Sequence, residues 1–425
     1  MNIVKGIVYE DKLPIIYKHL NPQEVKLYNG KGFATIPYEK FVELKTNFYK
    51  GIDNYIYIKQ SKKTLKETYQ NFVFEADILK EKTNGLYNLY QTGSILKASI
   101  KRFYDLNKAL IADEIDCIEG EWIRNAMKNP LMWAVSGYKG PGYSYDINSA
   151  YARILSDQKF LIPIKRGVFK KLTQEELNNR PYFEYGIYRA EIKVTNWKLM
   201  KTHTNNYYTH FDLTRAKELG YEIKVIIDNN PNFLSYADKN SKINGSIAFE
   251  QFVNELYNLK EQFNGDKRLR KIFKNPLNMI WGGLCEKILY KQIIDETIDD
   301  NQEITNNKVL NLVPLDIEKK YYQAKSLSDK KYYNTNFARL GPFLLGRIRL
   351  MMSKIIEPNI DYIVRIHTDG FISNKELIFN KDNNYSINSV KIGTKLGDLK
   401  LEKSSQHIHI KNINKIINLV TKEKF

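Results

Sequence analysis

The stretch GYKGPGYSYDINSAYA, residues 137–152, contains three local patterns that together indicate the fold class. Its glycine-rich start, residues 137–142, predicts a turn. Tyr143–Asp146 is a short run of the kind that forms a strand, and a helix-like segment begins at Ser149. The stretch therefore places Asp146 at the end of a strand and just before a helix N-terminus, whose backbone amides attract anionic groups.

A second strand pattern lies nearer the end of the chain, in YIVRIHTDGFIS (residues 362–373). The apolar runs on either side of HTDG predict a β-hairpin, and its tip needs a positive φ angle that Gly370 can supply. Asp369 then lies at the hairpin tip, where its carboxylate can point past the edge of the sheet. Hairpins and helices in this order predict an α+β fold with an antiparallel sheet.

Two helices that form a hairpin are predicted between these strand patterns. Apolar residues in 247–263 recur with the 3.6-residue period of an amphipathic helix, and a second helix extends to about Leu284. Pro276 predicts an interruption of the second helix, because proline cannot donate the helical hydrogen bond. A further helix is predicted over residues 337–356.

Other segments give weaker signals. Residues 183–228 predict two strands that flank a helix, which Gly220 should end. Residues 291–335 are polar and charged and predict an exposed insertion. Ser61–Lys80 predicts a helix within an N-terminal region that otherwise carries no pattern typical of a catalytic site.

The composition favours a polyanionic partner. The 425 residues include 66 Lys and Arg against 48 Asp and Glu, which gives a formal net charge of +18. This balance favours nucleic acid, bound through phosphate contacts with counterion release, over an anionic membrane surface. Because abundant Tyr, Asn, Ile and Lys are also typical of an AT-rich genome, the charge alone does not identify the partner.

The cysteines and the N-terminal residues indicate a protein of a reducing compartment. Cys117 and Cys285 lack metal-ligand spacing, so neither a disulfide framework nor a zinc site is expected. Glu10 and Asp11 stand where a signal peptide would be apolar, and no run approaches the ~18 apolar residues of a membrane span. We expect a cytoplasmic protein with no membrane partner.

Asp146 and Asp369 are candidate metal ligands. Transfer of a nucleotide to a 3′-hydroxyl needs two divalent ions about 4 Å apart, held by carboxylates that converge from separate strands. The two aspartates meet this requirement in residue type and in predicted position. Each also has a structural explanation, since Asp146 can cap a helix and Asp369 can belong to a plain turn.

The second helix of the hairpin carries a polar stripe. Its members recur every four residues and share one side of the helix: Arg270, Lys274, Asn278 and Gly282. Together with Lys260 on the preceding helix, these cations can neutralise a triphosphate, while Asn278 and Gly282 leave a small polar surface for a base pair. The alternative is a solvated basic face.

Three segments, in this order, resemble motifs A, B and C of family B DNA polymerases. Motif A reads D-x-x-S-L-Y-P against DINSAYA (146–152), motif B reads K-x-x-x-N-S-x-Y-G against KNPLNMIWG (274–282), and motif C reads D-T-D-S against HTDG (367–370). ELYNLKEQ (255–262) is similar to the first fingers helix, and KLGDLKLE (395–402) to the segment that leads from palm to thumb. Within that family, the chain resembles the small protein-primed polymerases of phages and linear plasmids.

The resemblance implies roles for the matched residues. Asp146 and Asp369 would bind two Mg²⁺ ions, or Mn²⁺, with the backbone carbonyl of Ile147 as a further ligand. Tyr151 would exclude a ribose 2′-hydroxyl, whereas its structural alternative is a buried helix tyrosine. The implied nucleotide-binding residues are Ser149, Tyr151, Lys260, Arg270, Lys274 and Asn278. Supporting candidates near the motifs are Thr368, His367, Gly282 and Lys400.

The chain also departs from the family pattern. His367 replaces the first motif C carboxylate, which is the less essential of the two in the family. A K-x-Y primer-binding motif is not evident, since the corresponding stretch reads HIHIKN (407–412). A proofreading exonuclease needs an early D-x-E, but Glu75 and Asp77 occur in the inverted order and Asp113 lies in an acidic stretch. No proofreading activity is therefore expected.

The expected architecture is that of a right-hand polymerase. Its predicted parts are an N-terminal domain without an exonuclease site (1–140), a first palm segment with a priming-type insertion (141–246), fingers (247–284), a second palm segment with the polar insertion (285–400) and a rudimentary thumb (401–425). The implied partners are a DNA primer–template, deoxynucleotides and a protein primer or processivity factor, in the cytoplasm of the host of a phage or mobile element.

Two alternatives to a templated DNA polymerase stay open. One is a catalytically silent relative that binds nucleic acid through a basic cleft with tyrosines for base stacking. The other is a primase-like, terminal-transferase-like or reverse-transcribing enzyme on the same palm, although Tyr151 argues against efficient use of ribonucleotides.

Overall fold

A computed structural model describes residues 5–9, 24–28, 33–37, 55–59, 65–295, 309–316, 321–327, 331–377 and 391–425. Within them the chain is mixed α+β, as predicted. The helices are α1 Leu65–Lys82, α2 Leu89–Thr92, α3 Ile95–Leu106, α4 Cys117–Ala126, α5 Ala150–Leu155, α6 Gln174–Asn178, α7 His210–Glu218, α8 Gly245–Gln262, α9 Lys267–Leu284 and α10 Leu340–Ile356. None of these described helices is long and apolar enough to cross a bilayer.

The strands within the described residues belong to five sheets. They are β1 Lys5–Tyr9, β2 Glu24–Tyr28, β3 Phe33–Pro37, β4 Tyr55–Lys59, β5 Met132–Ala134, β6 Tyr138–Ile147, β7 Leu161–Pro163, β8 Val168–Lys170, β9 Gly186–Ile192, β10 Tyr207–Thr209, β11 Ile223–Val225, β12 Phe233–Ser235, β13 Lys242–Asn244, β14 Leu289–Asp295, β15 Val309–Asp316, β16 Tyr321–Leu327, β17 Ile363–His367, β18 Gly370–Ser373, β19 Leu399–Asn412 and β20 Lys415–Asn418.

The chain forms two compact units. The first contains Met1–Asp105, Asn258–Gly283 and Lys287–Tyr332, and the second contains Leu106–Tyr257, Leu284–Glu286 and Tyr333–Phe425. The second unit thus begins at Leu106, within the segment predicted as an N-terminal domain. The predicted division into palm, fingers and thumb stays a prediction.

The first unit contains two sheets and part of the helical hairpin. Its four-stranded sheet has the order β3-β2-β1-β4, in which β1 and β4 are parallel and the other pairs antiparallel. Helix α1 lies against this sheet. The described part of the predicted polar insertion contributes to an antiparallel sheet of order β14-β16-β15.

The predicted break at Pro276 is wrong, because α9 runs without interruption from Lys267 to Leu284 with the proline inside. The buried side of the helix explains this outcome. Ile272, Phe273, Leu277 and Ile280 are each at most 2% exposed. Burial of one such side chain contributes about 1.5–3 kcal/mol, so the four together exceed the ~3 kcal/mol that an internal proline costs.

The largest sheet of the second unit has six strands in the order β20-β19-β6-β18-β17-β5, all antiparallel. Strand β6, which ends with Asp146 and Ile147, pairs with β18 on one side and β19 on the other. Residues 401–425, predicted as a very short thumb, contribute most of β19 and all of β20 to this sheet.

The glycine-rich segment before Asp146 is strand rather than turn. Strand β6 begins at Tyr138, so residues 138–142, predicted as part of a turn, pair with β19. A Cβ at Gly142 would lie 2.9 Å or less from two side-chain carbons of Ile408. Glycine is needed here because the neighbouring strand packs into the space that a side chain would fill.

An inserted layer follows α5 in the second unit. Strands β8, β9, β10 and β12 form its sheet, β11 pairs with β9, and α7 covers an apolar cluster that includes Tyr188, Tyr208 and Leu213. Helix α7 ends before Gly220, which has φ = 72°. The predicted order of strand, helix, glycine stop and strand is confirmed in this layer.

Two buried ion pairs anchor α10. Arg349 makes two hydrogen bonds of 2.8 Å to the carboxylate of Asp212 on α7. Arg339, at the N-cap of α10, donates to both oxygens of Glu119 on α4, at 2.8 and 2.6 Å. Removing one partner of such a pair costs about 3–5 kcal/mol, because the other charge stays buried. The two pairs fix α10 against α4 and α7.

Two buried histidines should make the fold sensitive to acid. Burial lowers the pKa of His203 to about 4 and that of His210 to about 3. An unfolded histidine has a pKa of about 6.5, so the unfolded chain binds protons first. The stabilisation is complete above pH ~6.5 and is lost as pH falls towards the folded values, by about 2 kcal/mol per histidine between pH 7.5 and 5.

Thermal unfolding at a series of pH values tests this expectation. His203→Gln should flatten the fall in unfolding temperature between pH 7.5 and 5. The control is His407→Gln, at an exposed position of β19, which should leave the profile unchanged. A profile that keeps its full slope in His203→Gln contradicts the assignment.

Candidate active site

The pairing of β6 with β18 brings the two predicted metal ligands together. Gly370 is the register partner of Asp146. The next step of the ladder is a hydrogen bond of 3.0 Å from the backbone N–H of Ile147 to the carbonyl of Asp369. The backbones of Asp146 and Asp369 are therefore neighbours at the same end of two adjacent strands.

The hairpin tip differs from the prediction in one detail. Thr368, not Gly370, adopts the positive φ angle, at 63°. Such an angle is rare for a β-branched residue and stores about 1–3 kcal/mol of strain. Gly370 is needed for a different reason, since a Cβ there would lie 2.8 Å from the carbonyl oxygen of Tyr145 and 3.0 Å from Oδ1 of Asp146. The absent side chain leaves room for the carboxylate.

Lys400 lies on the other side of Asp146. It is the register partner of Asp146 on β19. Its ammonium pairs with Glu402 at 2.9 Å. The sheet thus places a cation, a carboxylate and a glycine next to one another on β19, β6 and β18.

His367 has cationic neighbours. Burial lowers its pKa, and the positive charges of Arg365 and Lys424 lower it further, while a hydrogen bond with Asn414 has the opposite effect. The ring is therefore neutral near pH 7 and does not supply the negative charge that a carboxylate at this position would supply. Its Nδ1 lies 3.3 Å from Oγ1 of Thr368.

The segment after Asp146 turns into α5 and carries Tyr151. Ser149 takes a left-handed conformation (φ 53°, ψ 48°) at the N-cap of this helix. Burial raises the pKa of the Tyr151 hydroxyl well above its usual range, and the negative charge of Asp369 raises it further. Tyr151 therefore stays protonated and lies within electrostatic range of Asp369.

Asn148 is a residue that the sequence did not single out. It is 6% exposed. Its backbone and side chain bond to residues 394–398 and to Tyr257. The only signal in the sequence was its place inside the motif around Asp146, which says nothing about partners more than 100 residues away.

The predicted phosphate-binding cations belong to the first unit, where two of them lie near one carboxylate. The ammonium of Lys260 lies 3.1 Å from Oε1 of Glu261, and Arg270 lies 4.0 Å from the same atom. Burial lowers the pKa of Lys260, and the charges of Arg270 and Lys274 lower it further. The structure thus brings these three cations into one cluster and adds Glu261, which the sequence had not indicated.

The rest of the predicted polar stripe is exposed along α9. Lys274, Asn278 and Gly282 all face solvent, opposite the buried apolar side of the helix. A Cβ at Gly282 would meet nothing within 4 Å. The four-residue spacing therefore places these three residues on one exposed side of the helix, and their role in binding nucleotide stays a prediction.

The donor atoms near Asp146 suit a hard divalent cation. Two carboxylates and backbone carbonyls are the oxygen ligands that Mg²⁺ prefers. Within the described residues no cluster of three or more His, Cys, Asp or Glu side chains is present. The ligand set is therefore small, and substrate and water oxygens would have to complete an ion's coordination.

Comparison with protein families decides the class. Residues 126–362, more than half of the chain, match the family described as DNA polymerase type B, organellar and viral. The chain belongs to this polymerase family. The matched range contains Asp146 and the helical hairpin and ends before Asp369. No curated protein matches this polymerase.

Solved structures agree with the family. Phi29 DNA polymerase with primer-template DNA matches this polymerase with a TM-score of 0.55 and 16% identity, over 93% of this chain and 69% of that one. Its complex with single-stranded DNA matches with a TM-score of 0.55 and 15% identity, over 92% of this chain and 69% of that one. Its complex with primer-template DNA and incoming nucleotide substrates matches with a TM-score of 0.54 and 15% identity, over 83% of this chain and 60% of that one. At these identities the likeness shows the fold alone.

The close approach at Gly370 gives a test of the site geometry. Gly370→Ala should lower polymerase activity about tenfold or more, since added atoms in a packed site cost about 1–3 kcal/mol and here displace Asp146. Primer extension and thermal unfolding should be measured together. The control is Gly265→Ala, where a Cβ meets nothing within 4 Å. Full activity in Gly370→Ala would show that the carboxylate does not need this space.

Proposed function

We propose that this type B polymerase adds deoxynucleotides to the 3′-hydroxyl of a DNA primer, directed by a template and dependent on divalent metal ions. The observation that carries the proposal is the adjacency of Asp146 and Asp369 at the ends of β6 and β18. Membership of the family supplies the reaction class. Phi29 DNA polymerase, which shares the fold, has been solved with primer-template DNA and incoming nucleotides.

The two aspartates and the carbonyl of Ile147 would hold two Mg²⁺ ions, with Mn²⁺ as an alternative. When bound, such ions activate the attacking hydroxyl and neutralise the charge that develops on the transferred phosphate. Gly370 keeps the space beside Asp146 open. Lys400, Thr368 and His367 border the carboxylates and support them, and the neutral His367 leaves two acids to carry the negative charge.

Two further sets of residues would bind the nucleotide, one at its sugar and one at its triphosphate and base. Tyr151, protonated and close to Asp369, would pack against the sugar and exclude a 2′-hydroxyl. Ser149 precedes it at the N-cap of α5. Lys260, Arg270 and Lys274 would bind the triphosphate, and the exposed Asn278 and Gly282 would face the nascent base pair.

We also propose that the enzyme lacks proofreading and serves a phage or mobile element. Two of the three acidic residues considered for a nuclease have other partners: Asp77 accepts a hydrogen bond from the hydroxyl of Tyr90 at 2.6 Å, and Asp113 accepts from Lys165 and Arg166. The proposed architecture is a palm on the six-stranded sheet, fingers on α8 and α9, and a separate N-terminal domain. A protein primer or processivity factor are further proposed partners.

Asp146→Asn and Asp369→Asn should each lower primer extension about a thousandfold, because each loses a ligand charge that contributes several kcal/mol to the transition state. Extension of a labelled primer on a defined template, with Mg²⁺ or Mn²⁺, measures this. Asp361→Asn, at an exposed position, is the matched control.

The same assay separates the candidate functions. Absence of extension by the wild type contradicts the enzyme and favours a binding protein. Extension without template favours a terminal transferase. Extension that survives both aspartate substitutions contradicts the assigned site.

Tyr151→Ala should raise incorporation of ribonucleotides relative to deoxynucleotides about tenfold or more, since the ring that excludes the 2′-hydroxyl is removed. Single-nucleotide incorporation of dATP and ATP measures the ratio. Tyr182→Ala, at a 72% exposed tyrosine, is the control. An unchanged sugar preference in Tyr151→Ala would show that another residue selects the sugar.

A further inference from the structure

Asn148 is bonded through its backbone to a distant loop. Its N–H donates to the carbonyl of Asp398 at 2.9 Å, and its carbonyl accepts from the N–H of Gly397 at 2.8 Å. The stretch Asp146–Asn148 is thereby tied both to Asp369, through Ile147, and to the segment just before β19.

The side chain of Asn148 extends the same contact. Its Nδ2 donates to the carbonyl of Thr394 at 2.6 Å, to that of Lys395 at 3.2 Å and to the hydroxyl of Tyr257 at 3.1 Å. The Tyr257 hydroxyl in turn donates to the Thr394 carbonyl at 3.4 Å. One buried amide therefore joins three segments that are separated by more than 100 residues in the sequence.

The loop that receives these bonds is itself well held. The N–H of Lys395 donates to Oδ2 of Asp398 at 2.8 Å, and the N–H of Asp398 donates to the carbonyl of Lys395 at 3.0 Å. Gly397 takes φ = 86°, which a residue with a side chain adopts only with strain.

Asn148 lies between two residues of the candidate site. It lies two residues after Asp146 and three before Tyr151, in the short link between β6 and α5. Tyr257 is on α8, three residues before Lys260. Any shift of the link would move the carboxylate on one side of it and the tyrosine ring on the other.

We propose that Asn148 is a positioning residue, which clamps the link between Asp146 and Tyr151 onto the Thr394–Asp398 loop and onto Tyr257 of α8. It acts through its hydrogen bonds to Tyr257 and to the loop. Its effect is to set the carboxylate and the sugar-selecting ring in a fixed relation to each other and to α8. The kinetic consequences of this inference rest on the proposed polymerase function, whereas the clamp itself does not.

The kinetic test compares two buried asparagines. Asn148→Ala should lower kcat/KM for deoxynucleotide about tenfold, with a fall in kcat, and should weaken discrimination against ribonucleotides, because it removes several hydrogen bonds. Asn232→Ala is the matched control, since Asn232 also bonds to backbone groups of Leu172 and Ile226 in the second unit. Asn232→Ala should lower the unfolding temperature about as much as Asn148→Ala does, but it should leave kcat, KM and sugar discrimination unchanged.

A second pair of variants tests the contact with α8. Tyr257→Phe removes one hydroxyl and should lower kcat/KM about threefold, the effect of a single hydrogen bond. Tyr188→Phe, which loses a hydrogen bond to the Glu184 carbonyl in the inserted layer, is its control. In the Asn148→Ala background Tyr257→Phe should add little, because both act through one contact. Full additivity of the two losses would overturn the clamp.

Hydrogen exchange tests the clamp on the full chain without substrate. Asn148→Ala should speed exchange in residues 146–151 and 396–399 together, whereas Asn232→Ala should speed it around β8 and β12 and leave those two segments protected. If 396–399 keeps its protection in Asn148→Ala, the clamp is overturned whether or not the wild type extends primers. If exchange changes as expected but the wild type extends no primer, the clamp stands and the proposed function fails.

The positioning role is contradicted if the wild type extends primers and both Asn148→Ala and Asn232→Ala lose the same stability without any change in kinetics. Asn148 is then a structural residue only. A fall in kcat/KM and in sugar discrimination confined to Asn148→Ala and Tyr257→Phe supports the positioning role.

Discussion

The register of β6 against β18 is the constraint on which the site depends. Side chains alternate between the two faces of a strand, so a slip of one residue would turn Asp146 to the opposite face. The hydrogen bond from Ile147 to Asp369 and the pairing of Asp146 with Gly370 fix this register at the very end of the ladder. The neighbouring backbones of the two aspartates are therefore a property of the sheet.

Packing around this sheet holds the register through close approaches and buried charges. Gly142 and Gly370 leave space that Ile408 and the Asp146 carboxylate use. On α10, Arg349 pairs with Asp212, and its charge also acts on the hydroxyl of Tyr151. Helix α10, which the buried ion pairs hold in place, is thus part of the electrostatic environment of Tyr151.

Charge is arranged differently in the two units. In the second, two acids lie at strand ends beside a neutral histidine, which leaves a local negative charge for cations. In the first, Lys260 and Arg270 lie near the carboxylate of Glu261, and the charge of Lys274 acts on Lys260.

The sequence by itself determined the class of the protein, the hairpin of HTDG and the amphipathic helices, because local periodicity and motif order depend on neighbouring residues. It also marked Asp146 and Asp369 as candidate metal ligands. Only the tertiary structure showed that Gly370 leaves space for Asp146, that α9 continues through Pro276 and that residues 138–142 form a strand. Burial and strand pairing override the local preference of the sequence at the last two places. The tertiary structure alone also showed the contacts of Asn148, whose partners are Tyr257 and a loop near residue 396. Contacts between distant segments follow from the folded path of the chain, and no pattern within a motif encodes them.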